Sequence, residues 1–217
     1  MTDLDPVEQL ESCGGAPFRE FYKIYAASIA AREQKPEAWV CAMVRAPEHS
    51  VWVMKRAGHV HAFSILFLSP PPERFALLEY MAVAPEGRNR GVGSALFKQT
   101  VERAVTPDGR SLPILLEVDS DREASGDRQM RTRRLQFYRR LGCVRISGLH
   151  YILPLPGHGP APEMDLLLYS REPPRQLPKT ELERWLRTIY RDVYRCASDD
   201  PRIGQMLHAV SDPVQLD

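Results

Sequence analysis

The sequence has no excess of charge of either sign. Lysine and arginine together number 29, aspartate and glutamate number 28, and the formal net charge is therefore +1. A general polyanion binder carries a clear positive excess on its surface. The charge balance argues against a nucleic-acid-binding module, and we expect no nucleic-acid partner.

Long hydrophobic runs are missing as well. The longest strongly apolar stretch, residues 62–68, contains Ser64 and stops before the prolines at 70–72. A spanning helix needs about 20 apolar residues, so none of the chain is expected to cross a membrane. The acidic N-terminal residues contain no apolar segment typical of a signal peptide. We therefore expect a cytoplasmic protein with no membrane partner.

Cysteine is scarce and its spacing matches no metal or redox motif. The four cysteines are Cys13, Cys41, Cys143 and Cys196. We expect four free thiols, as is usual in a reducing compartment. His59 and His61 share one face of a predicted strand, but two histidines without a nearby cysteine or acid are weak support for zinc, so we expect no metal.

Helical and strand-type patterns alternate along most of the chain. Apolar spacing predicts helices over residues 18–32, 36–45, 91–104 and 130–141, and strands over 7–11, 51–56, 60–68, 75–84, 112–118, 144–153 and 164–169. Polar or Pro/Gly-rich loops are predicted at 119–129 and 154–162. This order predicts a mixed α/β (α+β) domain over residues 1–171, with a central sheet of about six to seven strands flanked by helices.

The pattern changes after Pro173 and Pro174. Thr180 and Glu183 have the spacing of a capping box, and a continuous apolar stripe follows on a predicted helix over residues 180–196. We interpret residues 172–217 as a C-terminal helical extension. Its stripe is too apolar for an isolated helix, so it should pack either on the rest of the chain or on a second subunit, which would make the protein a homodimer.

The segment from Leu77 to Ala104 is the most informative. A strand leads through a short turn into RNRGVG, residues 88–93, and then into a helix. Helix N-termini offer unpaired N–H groups, and glycines let a phosphate approach the backbone. The Lys-Ser/Thr pair of a P-loop is missing, and Leu96 occupies the third glycine position of a dinucleotide fingerprint. The segment predicts a site for a phosphate-bearing cofactor.

This segment resembles motif A of the GNAT acetyltransferase superfamily, Gln/Arg-x-x-Gly-x-Gly/Ala after a strand. Residues 134–143, RLQFYRRLGC, are similar to the FYxxxGF helix of the same superfamily, and a strand that contains Glu117 precedes them. The order of elements also matches, over about residues 6–170. The chain departs from the pattern at Cys143, which replaces an aromatic residue, and at Arg128, which stands about where an asparagine is common. The resemblance implies a GNAT fold and acetyl-CoA as co-substrate.

The resemblance also implies which residues bind the cofactor. The pyrophosphate would be held by Arg88, Asn89, Arg90, Gly91, Val92, Gly93 and Ser94. The pantetheine arm would lie along the backbone of Met81, Ala82 and Val83.

Three residues are candidates for catalysis. Tyr138 matches the position that often protonates the departing CoA thiolate in the superfamily. Glu79 and Glu117 each interrupt an otherwise apolar strand, where an unpaired carboxylate is costly. Glu117 resembles the base position of the ribosomal-protein N-terminal acetyltransferases, and Glu79 resembles the central-strand glutamate of other family members. The alternatives are that either residue only orients a water molecule or binds the amine, and that water is the base.

Two functions fit these residues. The first is an N-acetyltransferase that transfers an acetyl group from acetyl-CoA to a primary amine of a small molecule or a peptide by direct attack. The second is a non-catalytic GNAT-fold sensor or assembly module that binds acyl-CoA without turnover. Tyr138 and the two strand glutamates favour the enzyme. The resemblance assigns acceptor binding to residues 25–38 and 150–163, with Tyr25, Glu33 and Tyr151 as candidate lining residues.

Overall fold

The computed structural model describes residues 5–122, 127–155, 163–172 and 176–217. Its chain divides into two compact units. Unit 1 comprises Met1–Pro70 and Leu78–Ser111, and unit 2 comprises Pro71–Leu77 and Leu112–Asp217. Each unit is described by itself. The loop predicted at 154–162 lies mostly outside the described residues, as does part of the loop predicted at 119–129.

The secondary structure is mixed, with mostly antiparallel strands and flanking helices. In the described residues the strands are β1 (Val7–Gln9), β2 (His49–Arg56), β3 (His59–Leu68), β4 (Ala76–Val83), β5 (Ile114–Asp119), β6 (Val144–Arg145), β7 (Tyr151–Ile152) and β8 (Glu163–Tyr169). The α-helices are α1 (Gly15–Ser28), α2 (Glu37–Arg45), α3 (Val92–Val101), α4 (Arg128–Arg140), α5 (Lys179–Thr188) and α6 (Pro201–Leu207). The predicted α/β class is confirmed. Within the described ranges, none of the helices combines the length and the apolar character needed to cross a bilayer.

Unit 1 is built on the strand order β1-β2-β3-β4, in which β1, β2 and β3 pair antiparallel. Helix α1 covers this sheet with its aromatic face. The Phe21 ring meets the Phe63 ring edge-on at 4.9 Å, and Phe18 and Tyr25 are buried beside them. The helix begins at Gly15, three residues before the predicted start, because Pro17 is tolerated in a first turn, where its missing N–H is not needed.

Cys13 and Cys41 form a disulfide that joins the segment before α1 to α2. The Cα atoms are 5.4 Å apart. The prediction of four free thiols is wrong for this pair. The two cysteines are 28 positions apart, and no local sequence motif indicates the contact. Cys143 and Cys196 are free thiols. Disulfides are rare in reducing compartments, so this bond does not favour the predicted cytoplasmic location, which stays a prediction.

Unit 2 is organised around β8, which pairs antiparallel with β5, β6 and β7. The continuous strand predicted over residues 144–153 is wrong, because the structure has two short strands there, β6 and β7. Gly148 lies between them at φ +74°, and a Cβ at this position would sit 2.8 Å from the carbonyl oxygen of Ala209. The close backbone approach at Gly148 therefore accompanies the break in the strand.

The C-terminal extension packs within unit 2. The apolar stripe of α5 and of the π-helical turn that follows it, Ile189–Val193, is buried: Leu182, Trp185, Leu186, Ile189, Tyr190 and Val193. The Trp185 ring lies 5.6 Å from the Phe75 ring, and the C-terminal Asp217 binds the Arg145 guanidinium at 2.7 Å. The prediction that the stripe packs on the chain is confirmed, so the stripe does not call for a second subunit.

Candidate active site

The turn between β4 and α3 presents an open helix N-terminus. Gly91 is the N-cap of α3 at φ +79°, and Asn89 precedes it at φ +60°. Both values lie in the left-handed region, which glycine occupies freely and asparagine tolerates. A Cβ at Gly91 would have no heavy atom within 4 Å. The backbone at this position is therefore accessible to a ligand.

The first amide of α3 that reaches a helical carbonyl is that of Ala95, 3.0 Å from the oxygen of Gly91. In the parts of the chain that the structure describes, the amides of Val92, Gly93 and Ser94 ahead of it have no backbone acceptor. They carry the partial positive charge of a helix N-terminus, which favours an anion. Val92 and Leu96 are buried in the core of unit 1 and hold the helix in place. The backbone and the open space at Gly91 fit the pyrophosphate of CoA.

The strand before this turn is half-buried at its end. The first residues of β4 are buried, whereas Met81, Ala82 and Val83 are partly exposed. The Nε of Arg88 donates to the carbonyl oxygen of Val83 at 3.1 Å, which ties the turn to the strand. The residues predicted to bind the pantetheine and the pyrophosphate thus form one continuous segment of unit 1.

Glu79, on the same strand, is buried against a lysine and a histidine. Its side chain is only 3% exposed. The Lys35 ammonium binds one carboxylate oxygen, and His49 Nε2 lies 2.9 Å from the other. Burial raises the pKa of this carboxyl group, but the charge of Lys35 and the contact with His49 outweigh burial, so the pKa is lowered overall. Glu79 is an ionised, cation-paired carboxylate and therefore a weak proton acceptor.

The same cluster holds the loop between α1 and α2. The backbone N–H of Lys35 donates to the Tyr25 hydroxyl at 2.7 Å, and the Tyr80 hydroxyl donates to the carbonyl oxygen of Glu33 at 2.9 Å. Tyr25 is fully buried. Of the predicted acceptor-lining residues, Tyr25 therefore acts here as a support for the loop.

Tyr138 lies on the buried face of α4 in unit 2. Burial raises the pKa of its phenol to about 12, an increase that Arg134 partly opposes. The group is protonated at neutral pH and can donate a proton, but it is a weaker acid than an exposed tyrosine. Cys143, at the end of the same motif, is buried as well, and burial raises the pKa of its thiol to about 12. Where the superfamily pattern has an aromatic residue, this chain therefore places the neutral thiol of Cys143 in the core.

Glu117 lies on β5 of unit 2, against which α4 packs, and both of its oxygens accept hydrogen bonds from tyrosines. The Tyr151 hydroxyl donates to Oε1, and the Tyr194 hydroxyl donates to Oε2 at 2.5 Å. Burial, and then the negative charge of Glu117, raise the pKa of Tyr151 well above its usual value. Tyr151 therefore stays protonated at neutral pH, and the two hydroxyls fix the orientation of the carboxylate.

Sequence reasoning missed the partners of both glutamates. Lys35 and His49 lie in segments that contain no motif, and Tyr194 belongs to the apolar stripe of the helix predicted over residues 180–196. The one available signal was chemical, because a buried tyrosine hydroxyl usually finds a hydrogen-bond partner.

The histidine pair contacts two different carboxylates. His59 Nδ1 lies 2.7 Å from Glu20, and His61 Nε2 lies 3.4 Å from Asp5. Among the described residues, no group of three or more histidine, cysteine, aspartate or glutamate side chains is arranged to hold a metal ion. His158 lies outside the described residues.

Known proteins share this fold. No curated protein sequence matches the chain significantly. A GNAT-family protein from Bacteroides thetaiotaomicron superposes with a TM-score of 0.66 at 18% identity, over 83% of this chain and 93% of its own. A GNAT family acetyltransferase from Elizabethkingia anophelis, with acetyl-CoA bound, gives 0.54 at 15% identity over 78% and 99%. The ribosomal-protein-S18-alanine N-acetyltransferase from Escherichia coli gives 0.55 at 18% identity over 78% and 98%.

A sequence model described as the acetyltransferase (GNAT) family matches residues 18–143. The match includes β4, the open N-terminus of α3, Glu117 and Tyr138. Since it spans more than half of the chain, and since the structural neighbours have the same fold, the chain belongs to the GNAT family of acetyltransferases.

Proposed function

We propose that the protein is an N-acetyltransferase that moves the acetyl group of acetyl-CoA to a primary amine of a small molecule or a peptide by direct attack. Acetyl-CoA supplies the activated acetyl group. A nitrogen–carbon bond forms and the carbon–sulfur bond breaks. The amine gives up a proton and the sulfur gains one, so the reaction is balanced without a metal or a redox step.

The open N-terminus of α3 carries this proposal. Residues 88–94 combine two left-handed backbone positions, open space at Gly91, and the amides of 92–94, for which the described part of the chain offers no backbone acceptor. Phosphate groups bind such helix ends because the amides donate hydrogen bonds and the helix dipole favours negative charge. Arg90, which is exposed, adds positive charge beside the loop. Met81, Ala82 and Val83 would offer backbone groups to the pantetheine arm.

Glu117 is the better candidate for the base. Tyr151 and Tyr194 donate to its oxygens without bringing a positive charge, whereas the Lys35 ammonium and the contact with His49 lower the pKa of Glu79. A carboxylate stabilised by a cation accepts a proton less readily. Glu79 would then hold the loop between α1 and α2, and Tyr138 would donate the proton to the thiolate.

The acceptor is proposed to be an amine of a small molecule or a peptide terminus. The Escherichia coli neighbour is named as an alanine N-acetyltransferase of a ribosomal protein, which makes a peptide terminus one of the amines to test. The rival function is a sensor that binds acyl-CoA without turnover. Thiol release from acetyl-CoA in the presence of polyamines, amino acids, antibiotic-like amines and peptides separates the two.

Substitution of Gly91 tests the cofactor site. Acetyl-CoA at 100 times its dissociation constant should stabilise the fold by about 2.7 kcal/mol. Gly91→Asp should abolish this shift, because its carboxylate would occupy the anion site. Gly91→Asn is the matched control, since it has the same size and the same backbone strain without the charge. A full shift in folded Gly91→Asp, measured by thermal unfolding, would reject the assignment.

A further inference from the structure

The Glu117 carboxylate is held from two parts of unit 2. Tyr151, on β7, donates to one oxygen, and Tyr194, in the C-terminal extension, donates to the other at 2.5 Å. A carboxylate oxygen has two lone pairs, so one hydrogen bond from a phenol does not by itself block its protonation. The two hydrogen bonds fix the orientation of the carboxylate.

The position of Tyr194 depends on the turn before it. The chain leaves α5 through the π-helical turn Ile189–Val193, and the amide of Tyr194 bonds the carbonyl oxygen of Ile189 at 3.3 Å. Turns of this type are frequent at functional sites. Tyr190, within the turn, is fully buried and its hydroxyl donates to the carbonyl oxygen of Ile152. The buried ring of Tyr190, which phenylalanine would retain, anchors the turn, and Tyr194, which is partly exposed, reaches Glu117.

Further titratable groups near this cluster lie on the extension. Burial raises the pKa of Tyr190 most; Arg202, stacked 5.3 Å over the Tyr190 ring, opposes the increase, and Asp200, Glu117 and Cys196 add to it. Arg202 is paired with Asp200 at 2.6 Å. Tyr151 and Tyr194 donate to the Glu117 oxygens.

We infer that the C-terminal extension completes the catalytic site and that Tyr194 is a positioning residue, which orients Glu117 to accept the proton of the acceptor amine. Tyr194 lies beyond residues 18–143, which the family model matches, so the family pattern does not supply this contact. The inference rests on the proposed acetyltransferase function. It makes the extension part of the enzyme's chemistry as well as of its stability.

Two single substitutions form a matched pair. Tyr194→Phe removes the donor to Glu117 and keeps the ring, and Tyr190→Phe removes a hydroxyl that bonds the Ile152 carbonyl instead. Loss of a hydrogen bond to a charged carboxylate should raise the pH at which it titrates by about one unit or more. We expect this shift in Tyr194→Phe and not in Tyr190→Phe.

The first measurement needs no acceptor. Carbon-13 NMR of glutamate carboxyl groups follows the titration of Glu117 in the full-length chain, and Glu117→Gln assigns the signal. An upward shift confined to Tyr194→Phe supports the inference. Equal titration of Glu117 in wild type and Tyr194→Phe, or the same shift in Tyr190→Phe, would overturn it.

The second measurement is the pH profile of kcat/KM with an amine found by the thiol-release screen. In Tyr194→Phe the acidic limb should move to higher pH, and kcat should fall about tenfold because the carboxylate is no longer held towards the acceptor amine. The KM for acetyl-CoA should stay unchanged. An unmoved profile with a folded Tyr194→Phe would reject the positioning role. If no amine reacts, the proposed function fails, while the NMR titration still decides whether Tyr194 orients Glu117.

Discussion

Glu79 and Glu117 present the same signal in sequence and occupy different environments in the structure. Each is a carboxylate in an otherwise apolar strand. Glu79, in unit 1, is buried against the Lys35 ammonium and the His49 ring. Glu117, in unit 2, accepts hydrogen bonds from two tyrosine hydroxyls. Carboxylates with the same sequence pattern can therefore differ in the charge of the side chains that contact them, and this charge influences how readily each accepts a proton.

The Lys35 ammonium stabilises the ionised form of Glu79, as expected of a structural group. Removal of one member of a buried ion pair is strongly destabilising, because the other is left as an uncompensated buried charge. The two phenols orient the Glu117 carboxylate, as expected of the proposed base.

The largest expected effect is on catalysis. Glu117→Gln keeps the shape of the side chain and removes the proton acceptor, so kcat/KM should fall by about 10²–10⁴-fold. Glu79→Gln is the paired variant and should lose much less. Steady-state kinetics at pH 7 with the identified amine measures both. A larger loss in a folded Glu79→Gln protein would mean that Glu79 is the proton acceptor and Glu117 the structural group.

The next effect is on stability. Lys35→Met should destabilise the fold by about 3–5 kcal/mol at neutral pH, since it leaves the buried Glu79 charge without its ammonium partner. Lys55→Met is the control, because Lys55 pairs with Glu8 at 2.5 Å on the surface and such pairs contribute about 0–1 kcal/mol. Denaturant unfolding of both variants checks the difference. Equal losses in the two variants would mean that the Glu79 cluster is not a buried ion pair in solution.

The smallest effect is on the pH dependence of stability. The folded pKa of Glu79 is lowered, so its contribution is fully present above the unfolded value, about 4.3, and is lost as pH falls through the folded pKa. The unfolding free energy of wild type should therefore fall more steeply below pH 4.5 than that of Glu79→Gln. Other carboxyl groups titrate in both proteins and cancel in the difference. Parallel curves between pH 6 and pH 3 would contradict the lowered pKa.

Much of the fold could be predicted from local patterns. The periodicity of α1 and the alternation in β4 each concern residues close in sequence, and each places an element within a few residues of its observed bounds. The apolar stripe also predicts the start of α5, but α5 ends at Thr188, eight positions before the predicted end, and a π-helical turn continues to Val193. The strand predicted over residues 144–153 was wrong, because its break involves the approach of Gly148 to Ala209, 61 positions further along the chain. The Cys13–Cys41 disulfide escaped prediction for the same reason.

The sequence by itself determined the family and predicted the anion site, since a strand, a glycine turn and a helix N-terminus are consecutive in the chain and their chemistry is local. Only the tertiary structure decided which partners the two glutamates have. Lys35 is 44 positions from Glu79, and Tyr194 is 77 positions from Glu117. Contacts at such separations depend on how helices and strands pack, and the energy of a buried carboxylate depends on those contacts more than on its neighbours in sequence.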